Sequence, residues 1–260
     1  MQSGIISRNN PQFKELKKTL SDKSDYIPIE GMKLFEHALK SNTKIEKIFI
    51  DEKNYPSILR NYPEAKNIET IFISNELLSE LYSTDSKPTG NDLIITLARK
   101  NFIDTDELFK NTSLLILLEK VQDPGNLGTI IRSCLGFGID GVILSEDSVN
   151  PFNSKVLRAS AGALFNIQIA SYKDAKSLTA KAKKNDFTIL ATATNGHEHI
   201  NDFELSSKMI FMFGNEGVGL SDFLLKLSDR TIKIPHKTNL ESLNLAMAAT
   251  IVMWEIYKRK

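Results

Sequence analysis

The sequence predicts an α/β protein in two parts: a small α/β unit, followed by a larger one built on a parallel sheet covered on both faces. Three observations predict this. Six short, near-continuous apolar runs occupy the second part, and strands buried on both faces lack polar alternation. Segments of helical periodicity separate most of these runs, and parallel neighbours need such crossovers. The first third instead mixes shorter β-rich runs with helical patterns and reads as a separate unit.

Taken in order, helical patterns at 11–20, 31–40 and 75–82 alternate with IEKIFI at 45–50, TIFIS at 70–74 and DLIITLA at 92–98. Residues 83–91, with Pro88 and Gly90, form a turn-rich loop. The polar stretch from Asp104 to Thr112 reads as a linker over 105–112, dividing 1–104 from 113–260. Beyond it lie the runs LLILLEKV (114–121), GVILS (141–145), FNIQIA (165–170), TILAT (188–192), MIFMF (209–213) and TIKIP (231–235). Helices are expected at 126–137, 153–164, 174–184, 221–228 and 242–258.

Composition excludes several classes. Lys+Arg 33 against Asp+Glu 32 gives +1, so no global field attracts a polyanion, and any nucleic acid needs a local patch, for which Arg8, Lys14, Lys17 and Lys18 are the first candidate and otherwise a solvated helix face. A single cysteine, Cys134, excludes an internal disulfide or multi-thiolate metal site and fits a reducing cytoplasm. His236 has no partner at metal-ligand spacing, so no metal is expected. Uninterrupted apolar runs such as Leu114 to Leu118 fall far short of the ~20 residues of a membrane span. The first 20 residues lack the apolar stretch of a secretion signal.

In parallel sheets ligands bind beyond the carboxyl ends of the strands, which directs attention to the loops there. A literal G-x-G-x-x-G at Gly136–Gly141 follows a helix and precedes a strand, the reverse of a dinucleotide site; Gly136 and Gly138 are better read as ending the helix. The loop Asp123–Arg132 has Gly125 and Gly128 for close backbone approach, Asn126 to cap a helix, and Arg132 to reach over the strand ends or simply face solvent. In Phe213–Leu220 three glycines surround Asn215 and Glu216 between a strand and a helix, which suits a ligand lying against backbone; Glu216 orients a group there or caps the helix. In Ile234–Asn244, Ser242 and Asn244 stand where small polar residues cap. The helix that follows is apolar nearly all round, implying burial or a subunit interface.

Together, NLGTIIR at 126–132 with GFG at 136–138, FGNEGVGL at 213–220 and IPHKTNLESLNLAMAA at 234–249 resemble the three ordered motifs of the SpoU/TrmH-type RNA ribose 2′-O-methyltransferases of the SPOUT superfamily. The first third resembles that family's ribosomal-protein-like substrate-binding domain around Ile29–Lys33 and the strand that follows.

The resemblance implies a deep trefoil knot in the C-terminal sheet, an exception to the rule that chains avoid knots. It implies S-adenosylmethionine as cofactor, held by Thr192, Ala193, Gly214, Asn215, Gly217, Ile234, Pro235, Leu243 and Asn244, with backbone groups serving the adenine. The catalytic neighbourhood it implies is Asn126, Arg132, Glu216, Ser242 and Asn244. A guanidinium stays protonated and is a poor general base, so Arg132 is expected to hold a phosphate and polarise the hydroxyl. A phosphate oxygen or Ser242 would relay the proton, while Glu216 and Asn244 orient. A homodimer through the knotted domain and the C-terminal helix is expected to complete the site. By analogy with rRNA-directed members the substrate is 23S rRNA; the alternatives are tRNA 2′-O-methylation and a catalytically silent RNA-binding or assembly factor. This chain departs from the family at His236 and Thr238, where methionine and glycine are usual, and at Pro88-Thr-Gly90 with Asn91, where Pro-Gln-Gly is usual.

Overall fold

The computed structural model describes residues 5, 7–20, 24–41, 43–83, 92–237 and 241–260. The expectations attached to Pro88, Gly90, Asn91 and Thr238 lie outside the described residues. Two compact units form, residues 1–100 with 152–158 and residues 101–151 with 159–260.

In the first unit α1 (Pro11–Thr19), β1 (Tyr26–Glu30), α2 (Met32–Lys40), β2 (Ile45–Ile50), α3 (Tyr55–Asn61), β3 (Glu69–Phe72), α4 (Asn75–Glu80) and β4 (Ile94–Arg99) follow one another. The sheet order is β1-β4-β2-β3, with β4 antiparallel to both neighbours and β2 parallel to β3. Two of these elements are unexpected. β1 contains Pro28, which argues against a strand in sequence, yet β1 lies at the sheet edge, where proline is tolerated. α3 opens on Tyr55-Pro56, and proline suits a first helical turn. Phe13 and Leu16 anchor α1 in the core, leaving Lys14, Lys17 and Lys18 exposed, while Arg8 is paired with Glu80.

The chain continues as α5 (Thr105–Asn111), β5 (Leu114–Leu118), α6 (Pro124–Gly136), β6 (Gly141–Ser145), α7 (Ser154–Ala159), β7 (Gln168–Tyr172), α8 (Ala175–Lys184), β8 (Thr188–Thr192), β9 (Glu198–His199), β10 (Met209–Phe213), α9 (Asp222–Leu227), β11 (Arg230–Lys233) and α10 (Leu245–Arg259). The seven strands order as β7-β6-β5-β10-β8-β11-β9, with every pairing parallel. Every residue of β5, β6 and β10 is buried, as their unbroken apolar runs require. Because all seven run the same way, the loops after β5, β8, β10 and β11 emerge at one edge.

Three expectations need correction. Residues 105–111 are a helix: the Asp104 side chain caps it at the Asp106 N–H, Asp106 and Glu107 favour its positive end, and Leu108 and Phe109 are fully buried in the core, Phe109 against Phe187. The helix expected over 153–164 stops at Ala159, since Ala161 and Gly162 have φ of 50° and 82°, and a 3₁₀ turn follows at Ala163–Asn166. That turn displaces the next strand to Gln168–Tyr172. The end of α6 agrees with the reading of its glycines. Gly138 takes φ of 68°, the Ile139 N–H reaches the Cys134 carbonyl and the Phe137 N–H the Ser133 carbonyl, so the glycines terminate a helix and cradle no dinucleotide.

Among the described residues no helix is long and apolar enough to cross a membrane.

Candidate active site

At the shared edge, the segments after β8, β10 and β11 and the start of α10 enclose a cavity of about 430 Å³, within the range of about 300–1,000 Å³ typical of small-molecule sites. The β10–α9 loop forms one wall. Its Asn215 and Gly219 exchange backbone hydrogen bonds of 3.1 and 2.9 Å, and the Asn215 carboxamide oxygen accepts from the Gly217 N–H at 2.9 Å. This hairpin needs Gly214: a Cβ there would lie 2.0 Å from the Gly219 carbonyl carbon and the Leu220 nitrogen. Both ends of the loop are tied to the residues just after β5. Asn215 Nδ2 donates to the Lys120 carbonyl (2.9 Å), and the Glu119 carboxylate accepts from the Ser221 hydroxyl and N–H (2.8 Å each).

The β8 wall is set by the Ala193 N–H donating to the Ile232 carbonyl at 3.0 Å. Thr192 Oγ1, which belongs to a cavity-lining residue, is buried and has no hydrogen-bond partner among the described residues. Buried hydroxyls normally have one, so this atom points to a ligand. Leu225, Ile234, Leu243, Leu245 and Ala248 add apolar surface, while Glu216 and Glu241 bring carboxylates to the same lining. Apolar surface for a flat ring, carboxylates for a cationic centre and an unsatisfied hydroxyl form a set that fits S-adenosylmethionine.

Beside the cavity a chain of side chains joins the three loops read as chemical in the sequence. Asn244 Nδ2 donates to Asn126 Oδ1 at 3.0 Å, and Asn126 Nδ2 donates to Glu216 Oε1 at 3.1 Å. Asn244 also caps α10, its Oδ1 accepting from the Ala246 and Met247 N–H groups. Asn126 is buried, with both ends of its amide engaged. It does not cap α6, which starts two residues earlier with Asp123 as cap, nor does Glu216 cap α9, since Ser221 does so.

Of the residues the sequence marks for the cofactor, Thr192, Ala193, Gly214, Asn215, Gly217, Ile234 and Leu243 line the cavity, and Pro235 and Asn244 do not. Of those marked for catalysis, Glu216 and Ser242 line it, and Asn126 and Asn244 are bonded to Glu216 directly or in series. Ser242 stays outside α10 and is exposed, and the cap of that helix is Asn244. Arg132 is not brought in: it is exposed on α6, outside the lining, and makes no ion pair with a described residue. Sequence reasoning missed Glu119, whose signal was a carboxylate at the carboxyl end of a buried strand, and Leu225, whose signal was only that of an amphipathic helix.

Near Arg132, α6 packs on α10, with Ser133 Oγ and Thr250 Oγ1 2.8 Å apart. Leu135 on α6 and Met247, Ile251, Trp254 and Tyr257 on α10 are all exposed; Trp254 and Tyr257 stack at 6.2 Å, and each contacts Phe137 at 5.9 Å.

A Bacillus subtilis 23S rRNA guanosine 2′-O-methyltransferase is 29% identical, over 97% of this chain and 98% of its own. An uncharacterised tRNA/rRNA methyltransferase of Synechocystis is also 29% identical, over 99% and 94%. Among solved structures, an AdoMet-bound rRNA methyltransferase from Sinorhizobium meliloti superposes with a TM-score of 0.86 at 23% identity, covering 99% of this chain and 98% of that one. The SpoU methyltransferase AviRb from Streptomyces viridochromogenes, with AdoMet, gives 0.84 at 22%, covering 96% and 98%. The sequence profile of the SpoU rRNA Methylase family matches residues 113–254, which take in the cavity lining, the asparagine chain, α6 and the first part of α10, and the chain belongs to that family.

Proposed function

We propose that this protein transfers a methyl group from S-adenosylmethionine to a ribose 2′-hydroxyl of 23S rRNA. The observation that carries the reading is the hydrogen-bonded series Asn244–Asn126–Glu216, which ties three separate motifs together beside a cavity that suits the cofactor. The B. subtilis relative, named for 2′-O-methylation of 23S rRNA, supports this choice of substrate. The naming of the Synechocystis relative for tRNA/rRNA keeps tRNA as the second reading.

When bound, the cofactor supplies an electrophilic methyl on a sulfonium; the protein's task is to hold a hydroxyl in line with it and manage one proton. Alignment is worth up to about 7–11 kcal/mol in favourable cases. Thr192, Ala193, Gly214, Asn215, Gly217, Ile234 and Leu243 hold the cofactor, with Pro235 stiffening its loop and Asn244 fixing the start of α10. Asn126 keeps Glu216 and Asn244 in register. Arg132 grips the phosphate next to the target ribose and polarises the hydroxyl, its fork suited to two phosphate oxygens. The proton leaves by a phosphate oxygen or by Ser242, whose exposed side chain at the cavity is free of competing bonds to described residues.

Arg132 serves the site of a second copy. The exposed apolar strip along α6 and α10 supports a homodimer, because burying it relieves unfavourable contact with water, and Arg132 lies on the exposed side of the same helix pair. The first unit binds the RNA. The deep knot passes through the loops after β8, β10 and β11, consistent with strands out of sequence order at β5-β10-β8-β11. The single buried cysteine suits work in the cytoplasm. Labelled cofactor, purified protein and unmodified RNA test the substrate. Label in the large-subunit rRNA band is the expected result, label in tRNA selects the second reading, and label in neither overturns both.

A further inference from the structure

His236 lies between β11 and α10 and lines the cavity, but neither the mechanism nor the family motif uses it. Its Nδ1 is 2.8 Å from the carbonyl oxygen of Ile234. A carbonyl can only accept, so in the neutral ring the proton sits on Nδ1 and Nε2 is left as an acceptor. The same cavity is lined by apolar Ile234, Leu243 and Leu245, suited to a flat ring, and by Thr192, whose Oγ1 has no partner among the described residues. A ligand filling this cavity is best matched if it is planar, apolar on its faces and bears a donor at its edge. We infer that His236 Nε2 accepts a hydrogen bond from the exocyclic amine of the cofactor's adenine and so selects adenine over bases with a carbonyl in that place. This rests on the cofactor reading above.

The test compares S-adenosylhomocysteine with its inosine counterpart, in which a carbonyl oxygen replaces the amine, by calorimetric titration of the full chain. Wild type is expected to favour the adenine form by about tenfold or more, since the other form sets two acceptors against each other. Two variants separate an acceptor role from a structural one. His236→Gln can place an acceptor near the Nε2 position and should keep most of the preference. His236→Asn can keep the donor to Ile234 but not the acceptor, and should lose it, as should His236→Met. If His236→Asn and His236→Met keep the preference, or wild type has none, the inference is overturned. If wild type binds neither compound, the cofactor reading itself fails.

Discussion

Gly214→Ala places a methyl group 2.0 Å from the Gly219 carbonyl carbon and the Leu220 nitrogen. Carbon contacts settle at about 3.5–4.0 Å, so residues 219–220 must retreat by about 1.5 Å. Overpacking of this kind costs about 1–3 kcal/mol. The movement also pulls apart the paired Asn215–Gly219 hydrogen bonds, worth about 1 kcal/mol each. A loss of about 3 kcal/mol follows, or about 10 °C in melting temperature for a domain of this size. Because the same loop walls the cavity, affinity for S-adenosylhomocysteine should fall too, by about tenfold for each 1.4 kcal/mol that binding must spend to restore the loop. Two neighbours calibrate the result. At Gly217 a methyl group meets nothing closer than the Asn215 Oδ1 at 3.5 Å, so alanine there should stay within about 0.5 kcal/mol of wild type. At Gly219 the space is open but φ is +73°, so alanine should cost about 1–2 kcal/mol. Thermal unfolding and calorimetric titration of the three variants give the ranking. A Gly214→Ala protein as stable and as tight-binding as Gly217→Ala would refute the argument.

Other outcomes follow from the same contacts. Asn126→Ala leaves Glu216 and Asn244 without their partner; with Glu216 exposed and able to turn to water, unfolding should lose only about 1–2 kcal/mol while methyl transfer drops far more, as paired melts and rate measurements will reveal. Arg132→Ala should leave stability within about 0.5 kcal/mol and abolish transfer, because the side chain is exposed and makes no ion pair with a described residue. Mixing Arg132→Ala with Gly214→Ala protein should restore activity through hybrid dimers, and no recovery despite confirmed subunit exchange speaks against a site shared between copies. Arg132→Lys retains charge without the fork, so near-wild-type turnover would remove the clamp from the mechanism. Burial pushes the Cys134 thiol up, which keeps thiolate scarce in the native state; alkylation should stay silent up to about pH 9 and appear only on unfolding, as mass spectrometry after iodoacetamide will report.

How far the fold was legible depended on whether local signals and tertiary context agreed. β5, β6, β8 and β10 agree with their apolar runs because parallel strands covered on both faces are near-continuously apolar, with polar residues only at the ends of β6 and β8. β1 was hidden by Pro28, whose effect depends on an edge position that only the sheet reveals. α5 was hidden by a polar stretch carrying just two core residues, although Asp104 and the acidic first turn were cap signals in plain view. The loops of the site were legible because glycines, asparagines and carboxylates at strand ends have few structural uses in such numbers. What sequence could not convey was how Asn126 is used: it reads as a cap, and only the approach of α6 to the loops after β10 and β11 makes it the middle of a three-residue series. Arg132 has the opposite history, marked for chemistry in the sequence yet outside the cavity of its own chain, a position that agrees with the expectation of a site completed by a second copy.

The central claim is ribose methylation, and alkaline hydrolysis of the labelled RNA tests it most directly. A methyl group on the 2′-oxygen removes the nucleophile that cleaves the next phosphodiester, so the account predicts label in alkali-resistant dinucleotides. Label recovered in mononucleotides would mean methylation of a base and would contradict it.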